Sequence, residues 1–364
     1  MPKNRERRRH ELDLLCRSGT GLVPIAPAVC QLAREMVGAD AAALFWLDAH
    51  GMPLGFFHEN SPAQARDLFL NEFDRLFLGP NETNVVQLAN RHDGLAVGQL
   101  LHMPAQYYLS NTFNLLVRPS GHHHALDLNV RVDGRTRAVL LLFRPFGQPF
   151  DDDDARALLR IEPYLHRTLA TQPDQAVWST PAARSGHLLL RREGHRATPW
   201  QLRLTGGEAM QILHNCNLVG QNLRPGSPQL LELPHFIRHA CDELAQATIP
   251  VLQRTVAVPG GHLCVTLTPL QTPSPHPTGH KACAEVLATL ELRTPERLQL
   301  VQRLLGLELS PLQREIALLA GVGGRRADCE ATIGVSNEAL KKHLKTIYRT
   351  VGVADWETLA RALA

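Results

Sequence analysis

"SPLQREIALLAGVGGRRADCEATIGVSNEALKKHLKTIYRTVGV", Ser310 to Val353, is the stretch whose reading decides the fold of the C-terminal part of this chain. Ser310 and Gln313 have capping-box spacing, and Pro311 stands at the first helical position, so a helix starts here. Leu312, Ile316 and Leu319 give it a buried stripe. Gly321, Gly323 and Gly324 permit left-handed backbone and end it. No Gly-Lys-Ser/Thr follows, so the cluster is not a phosphate loop. A short helix over 325–333, a turn at Gly334 and a longer helix capped by Ser336 come next. In the longer helix Leu340, Leu344, Ile347 and Val351 recur at i, i+4, i+7 and i+11 and must face inward. Lys341, Lys345 and Arg349 step by four along a neighbouring flank, beside Lys342 and His343. A charged flank is most often only a solvated face. Short helix, glycine turn and cationic helix together read instead as a helix-turn-helix, whose second helix fits the major groove of B-DNA. A fourth amphipathic helix, with Trp356, Leu359, Ala360 and Leu363 free to pack, completes the segment.

These residues carry a family resemblance. Ser310-Pro311, Arg314-Glu315-Ile316, Gly323, Ile333-Gly334-Val335-Ser336, Ala339-Leu340-Lys341-Lys342-His343, Ile347 and Val351-Gly352-Val353 fall in order, without a gap. Residues 309–364 thereby resemble the LuxR-type helix-turn-helix domain of bacterial transcription regulators. The resemblance implies double-stranded DNA as partner. Lys341, Lys342 and Lys345 match the family's groove-facing positions; with Ser336 and Asn337 at the helix start and His343 and Arg349 on the same flank they form the expected DNA-contact set, and the resemblance implies a homodimer, often paired through the last helix. The chain departs from the pattern at Asp328-Cys329-Glu330-Ala331, where the family has Glu-Ile-Ala-x. The small residue lets the second helix cross closely over the third. Glu330 in its place must either send its stem outward or hold the helices apart. Crowding there leads to the expectation that Glu330→Ala stabilises. Ala339 also stands where Thr is usual, and Thr350 where Lys is usual.

Upstream, Thr294-Pro295-Glu296 reads as a helix start, with Thr294 as N-cap. Leu298, Val301, Leu304 and Leu305 then give a connecting helix, 294–306, its stripe. Residues 187–292 read as strand, two helices, a hairpin around Pro259-Gly260-Gly261, a Pro-rich loop (Thr272 to Lys281) and a last strand. This element order resembles a PAS-like α+β domain. Residues 171–186 read as a linker. In residues 10–170, Ile25, Val29, Leu32 and Met36 mark a helix, and Ala41 to Gly51 a buried strand ending at a turn. Leu126, Leu128, Val130 and Val132 alternate with Asp127, Asn129 and Arg131 before an Asp133-Gly134 turn and an apolar return strand. A helix with an acidic first turn, Asp151 to Asp154, closes the segment. That order resembles a GAF domain, a fold that binds ligands under its variable middle; no ligand-specific motif is matched, so the effector stays open.

The fold class expected is therefore α+β multidomain: GAF-like and PAS-like sensory modules, then an all-α four-helix helix-turn-helix domain. The function expected is a transcription regulator whose sensory modules modulate DNA binding. The alternatives are a ligand-sensing or protein-binding adaptor with a weakened DNA domain, or less favourably a metal or redox enzyme. Composition is neutral between them: 364 residues, 44% hydrophobic, net charge +3, so a polyanion partner must be argued from a local patch. The cysteine count of 7 is odd and lacks a C-x-x-C pair, as in a reducing cytoplasm. The basic N-terminus has no apolar run behind it, and no stretch is long enough to span a bilayer, so a cytoplasmic protein is expected. His122-His123-His124 reads as loop surface rather than a metal site, since adjacent strand residues point to opposite faces. His214-Asn215-Cys216 reads as a packed thiol beside a polar cap. No nucleophile–base pair or ligand set is grouped, so neither catalysis nor a cofactor is expected.

Overall fold

Two antiparallel sheets, each with helices against it, precede a group of C-terminal helices. The computed structural model describes residues 2–62, 64–65, 68–69, 72–91, 95–170, 178–179, 184–192, 200–216, 233–246, 249–270 and 284–363. Most of the expected linker and the Pro-rich loop from Thr272 to Lys281 lie outside the described residues.

Helices α1 (Pro2–Cys16) and α2 (Leu22–Val37) lead into strands β1 (Ala41–Leu47) and β2 (Pro53–His58). Pro24 lies in the first turn of α2, where its missing N–H has no intrahelical acceptor to lose. A middle segment holding helix α3 (Val85–Asn90) and short 3₁₀ and π turns reaches β3 (His124–Val132) and β4 (Arg135–Arg144). The sheet order is β2-β1-β4-β3. Asp133 and Gly134 take φ of 52° and 74°, the left-handed pair that a tight hairpin requires. Helices α4 (Asp152–Leu159) and α5 (Glu162–Ala170) then return across the sheet. The acidic run is a capping box of Asp151 with Asp154. Arg144 also donates to Asp154 Oδ2 at 2.8 Å, so this carboxylate is engaged within the chain.

The alternation along β3 misleads. Asp127 and Asn129 do not face water; they are 0% and 1% exposed. Leu126, Leu128 and Val130 enter a core with α1, α2, α4 and α5. The opposite face is covered by the middle segment, where Leu100 N–H donates to Asp127 Oδ1 at 2.7 Å and Asn129 N–H to Ala96 O at 2.7 Å. The histidine run is also corrected. His122 is not loop surface: it is 8% exposed and stacks on Phe143 with centroids 4.7 Å apart.

The second sheet has the order β7-β6-β10-β9-β8, from β6 (Ser185–Arg192), β7 (Gln201–Thr205), β8 (Leu252–Val258), β9 (Gly261–Leu270) and β10 (Ala284–Pro295). The two-residue strand β5 (Trp178–Ser179) pairs with the end of β10. Helices α6 (Gly207–Asn215) and α7 (His235–Gln246) cover one face through Ile212, Leu213, Ile237 and Leu244. Gly186 allows α6 to approach β6: a Cβ there would sit 2.4 Å from Ala209 Cα. Gly260 N–H donates to Pro24 O at 3.0 Å, tying the β8–β9 turn to α2.

Strand β10 runs without a break into helix α8 (Glu296–Gly306). The expected cap is corrected here: Thr294 and Pro295 are the last strand residues, paired with Ser179 and Trp178, and no side chain caps α8. Nor is α8 a bare connector. Leu298 and Val301 belong to the core of the first sheet, while Leu300 and Leu304 belong to that of the C-terminal helices. Those helices are α9 (Pro311–Gly321), α10 (Asp328–Ile333), α11 (Asn337–Val351) and α12 (Trp356–Leu363).

Candidate nucleic-acid interface

Each end of α11 is set by local chemistry. Ser336 Oγ accepts from Ala339 N–H at the start, and Gly352, at φ 79°, closes the end in the left-handed region. Gly334, at φ 74°, makes the turn from α10. Leu340, Leu344 and Ile347 are buried in the C-terminal core, as their spacing predicts. That burial fixes the rotation of the helix. Lys341, Lys342, Lys345 and Arg349 are consequently exposed, as are Ser336 and Asn337, and His343 is half-buried. Among the described residues none of these four cations takes part in a salt bridge. All seven residues singled out in the sequence thus lie on one element or its cap.

The helices around α11 hold it. Ser310 and Gln313 form the expected capping box, with Ser310 N–H donating to Gln313 Oε1 at 2.8 Å. Trp356 Nε1 donates to Gly324 O at 3.0 Å, and Arg303 Nη1 to Leu363 O at 3.1 Å. Leu359 and Leu363 are 0% and 3% exposed, within the chain's own core. The outward face of α12 is left with Glu357, Arg361 and Ala362.

The crowding expected at Glu330 does not occur. Glu330 is exposed, and the buried side chain of α10 is its neighbour Cys329, at 0%. The carboxylate stem points outward, so the helices need not separate to admit it.

Sequence reading missed the polar link between α9 and α1. Arg314 is 1% exposed, yet its Nη1 donates to Glu11 Oε1 at 2.9 Å, across 303 residues. Its Nη2 donates to the carbonyls of Leu305 and Leu307 at 3.3 and 3.2 Å. Glu11, 2% exposed, also accepts from Arg7 Nε at 3.0 Å and Arg8 Nη1 at 2.7 Å. Burial pushes the Glu11 carboxyl up, but the hydrogen bonds from Arg8, Arg7 and Arg314 outweigh it and leave it below the usual value. Beside this pair, Arg17 Nη2 donates to Glu315 Oε1 at 2.8 Å. The signal was present: Glu11 is one turn after Arg7 and flanks the apolar Leu12, Leu14 and Leu15, all 0% exposed.

Other candidate chemistry is not assembled. Among the described residues no three His, Cys, Asp or Glu side chains group as metal ligands, and no helix is long and apolar enough to cross a membrane. Burial pushes the thiols of Cys16, Cys216 and Cys241 up to about 12, opposite to the direction that activates a nucleophile.

No family model matches the chain, and no curated protein sequence does. Solved structures with some likeness include the sensor region of a sensor histidine kinase, at 17% identity and TM-score 0.19, covering 45% of this chain and 61% of that one. A bacteriophytochrome from the photosynthetic bacterium R. palustris aligns at 12% identity and TM-score 0.24, over 79% of this chain and 63% of that one. The chain spans less than two thirds of either neighbour.

Proposed function

We propose that the chain is a DNA-binding transcription regulator, in which residues 309–364 hold duplex DNA and residues 10–170 and 187–292 are sensory modules that modulate it. The observation that carries this reading is the row Lys341, Lys345 and Arg349, with Lys342 beside it. These cations are exposed and outside any salt bridge among the described residues, on a helix whose other side is buried. A 15-residue helix presented in this way after a short helix and a glycine turn suits a major groove. Lysine there can bond phosphate oxygens or guanine edges. The ordered motif from Ser310 to Val353 supports the same reading. Pairing of two chains on DNA belongs to the proposal as well.

The sensory half has two physical links to the DNA-binding half. Helix α8 shares its side chains between two cores, and the Glu11–Arg314 pair fastens α1 to α9. An effector that favours one arrangement of these contacts would shift DNA affinity by its differential binding to the two states. The test is selection of bound sites from a random DNA pool with the full chain, with Lys341→Ala and Lys345→Ala as controls. Enrichment of a common sequence that both variants lose is the expected result. No binding to any duplex even at low ionic strength would overturn the reading.

A further inference from the structure

Where the end of α1 meets α8, α9 and α10, a groove of about 260 Å³ opens between the first part of the chain and the C-terminal helices. Its floor is apolar: Val301 of α8, Leu319 of α9, Val322 just past α9 and Ile333 of α10. Val301 is buried, but Leu319 and Ile333 are only half-buried and Val322 is 47% exposed. The rim is charged, with Arg17, Arg297 and Glu315. Arg17 Nη2 donates to Glu315 Oε1 at 2.8 Å, and its Nε pairs with Asp13 Oδ2 at 3.2 Å. Its Nη1 is left without a hydrogen bond among the described residues. Asp13 is also paired with Arg167. Three guanidinium groups (Arg17, Arg167 and Arg297) against two carboxylates (Asp13 and Glu315) leave these five side chains with one net positive charge beside an apolar floor.

We infer that this groove binds a short amphiphilic monocarboxylate, with its alkyl chain on the floor between Val301 and Val322 and its carboxylate on Arg17 and Arg297. A guanidinium carries several N–H donors and pairs with carboxylates through charge-assisted bonds, so Arg17 can engage a further oxygen through Nη1 without releasing Glu315. A cationic head would meet the same two guanidinium groups and be repelled, and an uncharged head forfeits the charge assistance. A dry apolar cavity of roughly 150 Å³ holds a benzene, so 260 Å³ scales to about ten non-hydrogen atoms, the size of octanoate. Such a ligand touches the end of α1 together with α8, α9 and α10, and therefore stabilises the arrangement in which they meet. The inference rests on the effector part of the reading above and on none of its DNA contacts.

The test uses the full chain with octanoate, butyrate, octanamide and octylammonium as probes, by calorimetry and by hydrogen exchange of the α1 amides. Octanoate is expected to bind. Butyrate, which lacks methylenes, and octanamide, which lacks the charge, should each bind at least about tenfold more weakly, and octylammonium not at all. At about ten times its Kd, octanoate should slow α1 exchange about tenfold, since release of α1 dismantles the site. Arg17→Gln should weaken octanoate about tenfold and leave octanamide unchanged. Val322→Glu alters an exposed position, which keeps the fold, and should abolish octanoate binding by setting a carboxylate on the floor. Octanamide or octylammonium binding as tightly as octanoate, α1 exchange that ignores bound octanoate, a Val322→Glu chain that still binds it, or no octanoate binding at millimolar concentration would each overturn the inference. Octanoate binding by a chain that ignores all DNA would leave it standing and sink the regulator reading instead; DNA binding without octanoate binding would do the reverse.

Discussion

Replacing Glu11 by Met, alone and together with Arg314→Met, isolates in a double-mutant cycle the buried Glu11–Arg314 pair that holds α1 on the C-terminal helices. The Glu11 change alone leaves the Arg314 guanidinium, 1% exposed, without its carboxylate. Removing one partner from a buried pair costs about 3–5 kcal/mol, chiefly the penalty of the stranded charge. Arg314 keeps its bonds to the Leu305 and Leu307 carbonyls, which puts the expectation near the lower end, about 3 kcal/mol. Arg314→Met costs less, about 1–2 kcal/mol, because Glu11 retains Arg7 and Arg8. The double variant replaces both charges by apolar side chains and should return to within about 1 kcal/mol of the parent. The coupling energy is then at least about 3 kcal/mol. A chain with several cores need not unfold in one step, so the readout is native-state hydrogen exchange of the α1 amides beside urea unfolding. A loss of about 3 kcal/mol appears as a roughly hundredfold rise in α1 exchange. Additive single effects, with coupling under about 0.5 kcal/mol, would refute the reasoning.

The same pair sets a pH response. The Glu11 carboxyl is below its usual value of 4.5 when folded, so its contribution is complete above that value and is lost as pH falls through the folded one; exchange of α1 should accelerate only in acid. Asp127 has the opposite sign. Burial raises it from 3.8 to about 6, against the Leu100 N–H bond that lowers it, so the chain loses up to about 3 kcal/mol as pH rises through that interval; Asp127→Asn should flatten this part of the urea-midpoint profile, and an unchanged profile would contradict the assignment. Lys341→Ala and Lys345→Ala should each reduce the slope of log affinity against log salt by about 1 in magnitude, measured by fluorescence anisotropy on a selected duplex. Glu330→Ala should shift the melting midpoint by no more than about 0.5 kcal/mol equivalent, since the side chain is exposed. Gly186→Ala should destabilise by about 1–3 kcal/mol in urea unfolding, because its Cβ would meet Ala209 backbone at 2.4 Å.

What could be read in the sequence was whatever local chemistry settles. The caps at Ser310 and Ser336, the glycine turns and the 3.6-residue spacing of Leu340, Leu344 and Ile347 act within a few residues, and the helices and the exposed cations follow from them. The Asp133-Gly134 hairpin was legible for the same reason. Long-range effects were not. Asp127 and Asn129 look like a solvent face until the middle segment, about 30 residues upstream, is laid over them. Thr294 looks like a cap until β5 claims it for a strand. Glu330 looked crowded because the reading assumed a family spacing between helices, whereas here the stem points to water. The His122 environment and the Glu11–Arg314 pair needed tertiary contacts that periodicity does not encode.

The uninterrupted passage from β10 into α8 has a mechanical consequence. A loop would absorb a disturbance, but here a strand gripped by β6 and β9 on either side becomes the handle of a rigid rod. At 1.5 Å per residue the 11-residue α8 is about 16 Å long, so a rotation of about 5° at the strand end swings the far end by about 1.4 Å. Leu304, near that far end, and Leu300, midway along, are keyed into the helices below. Strain arising anywhere in the second sheet thus reaches the C-terminal helices as leverage rather than as slack.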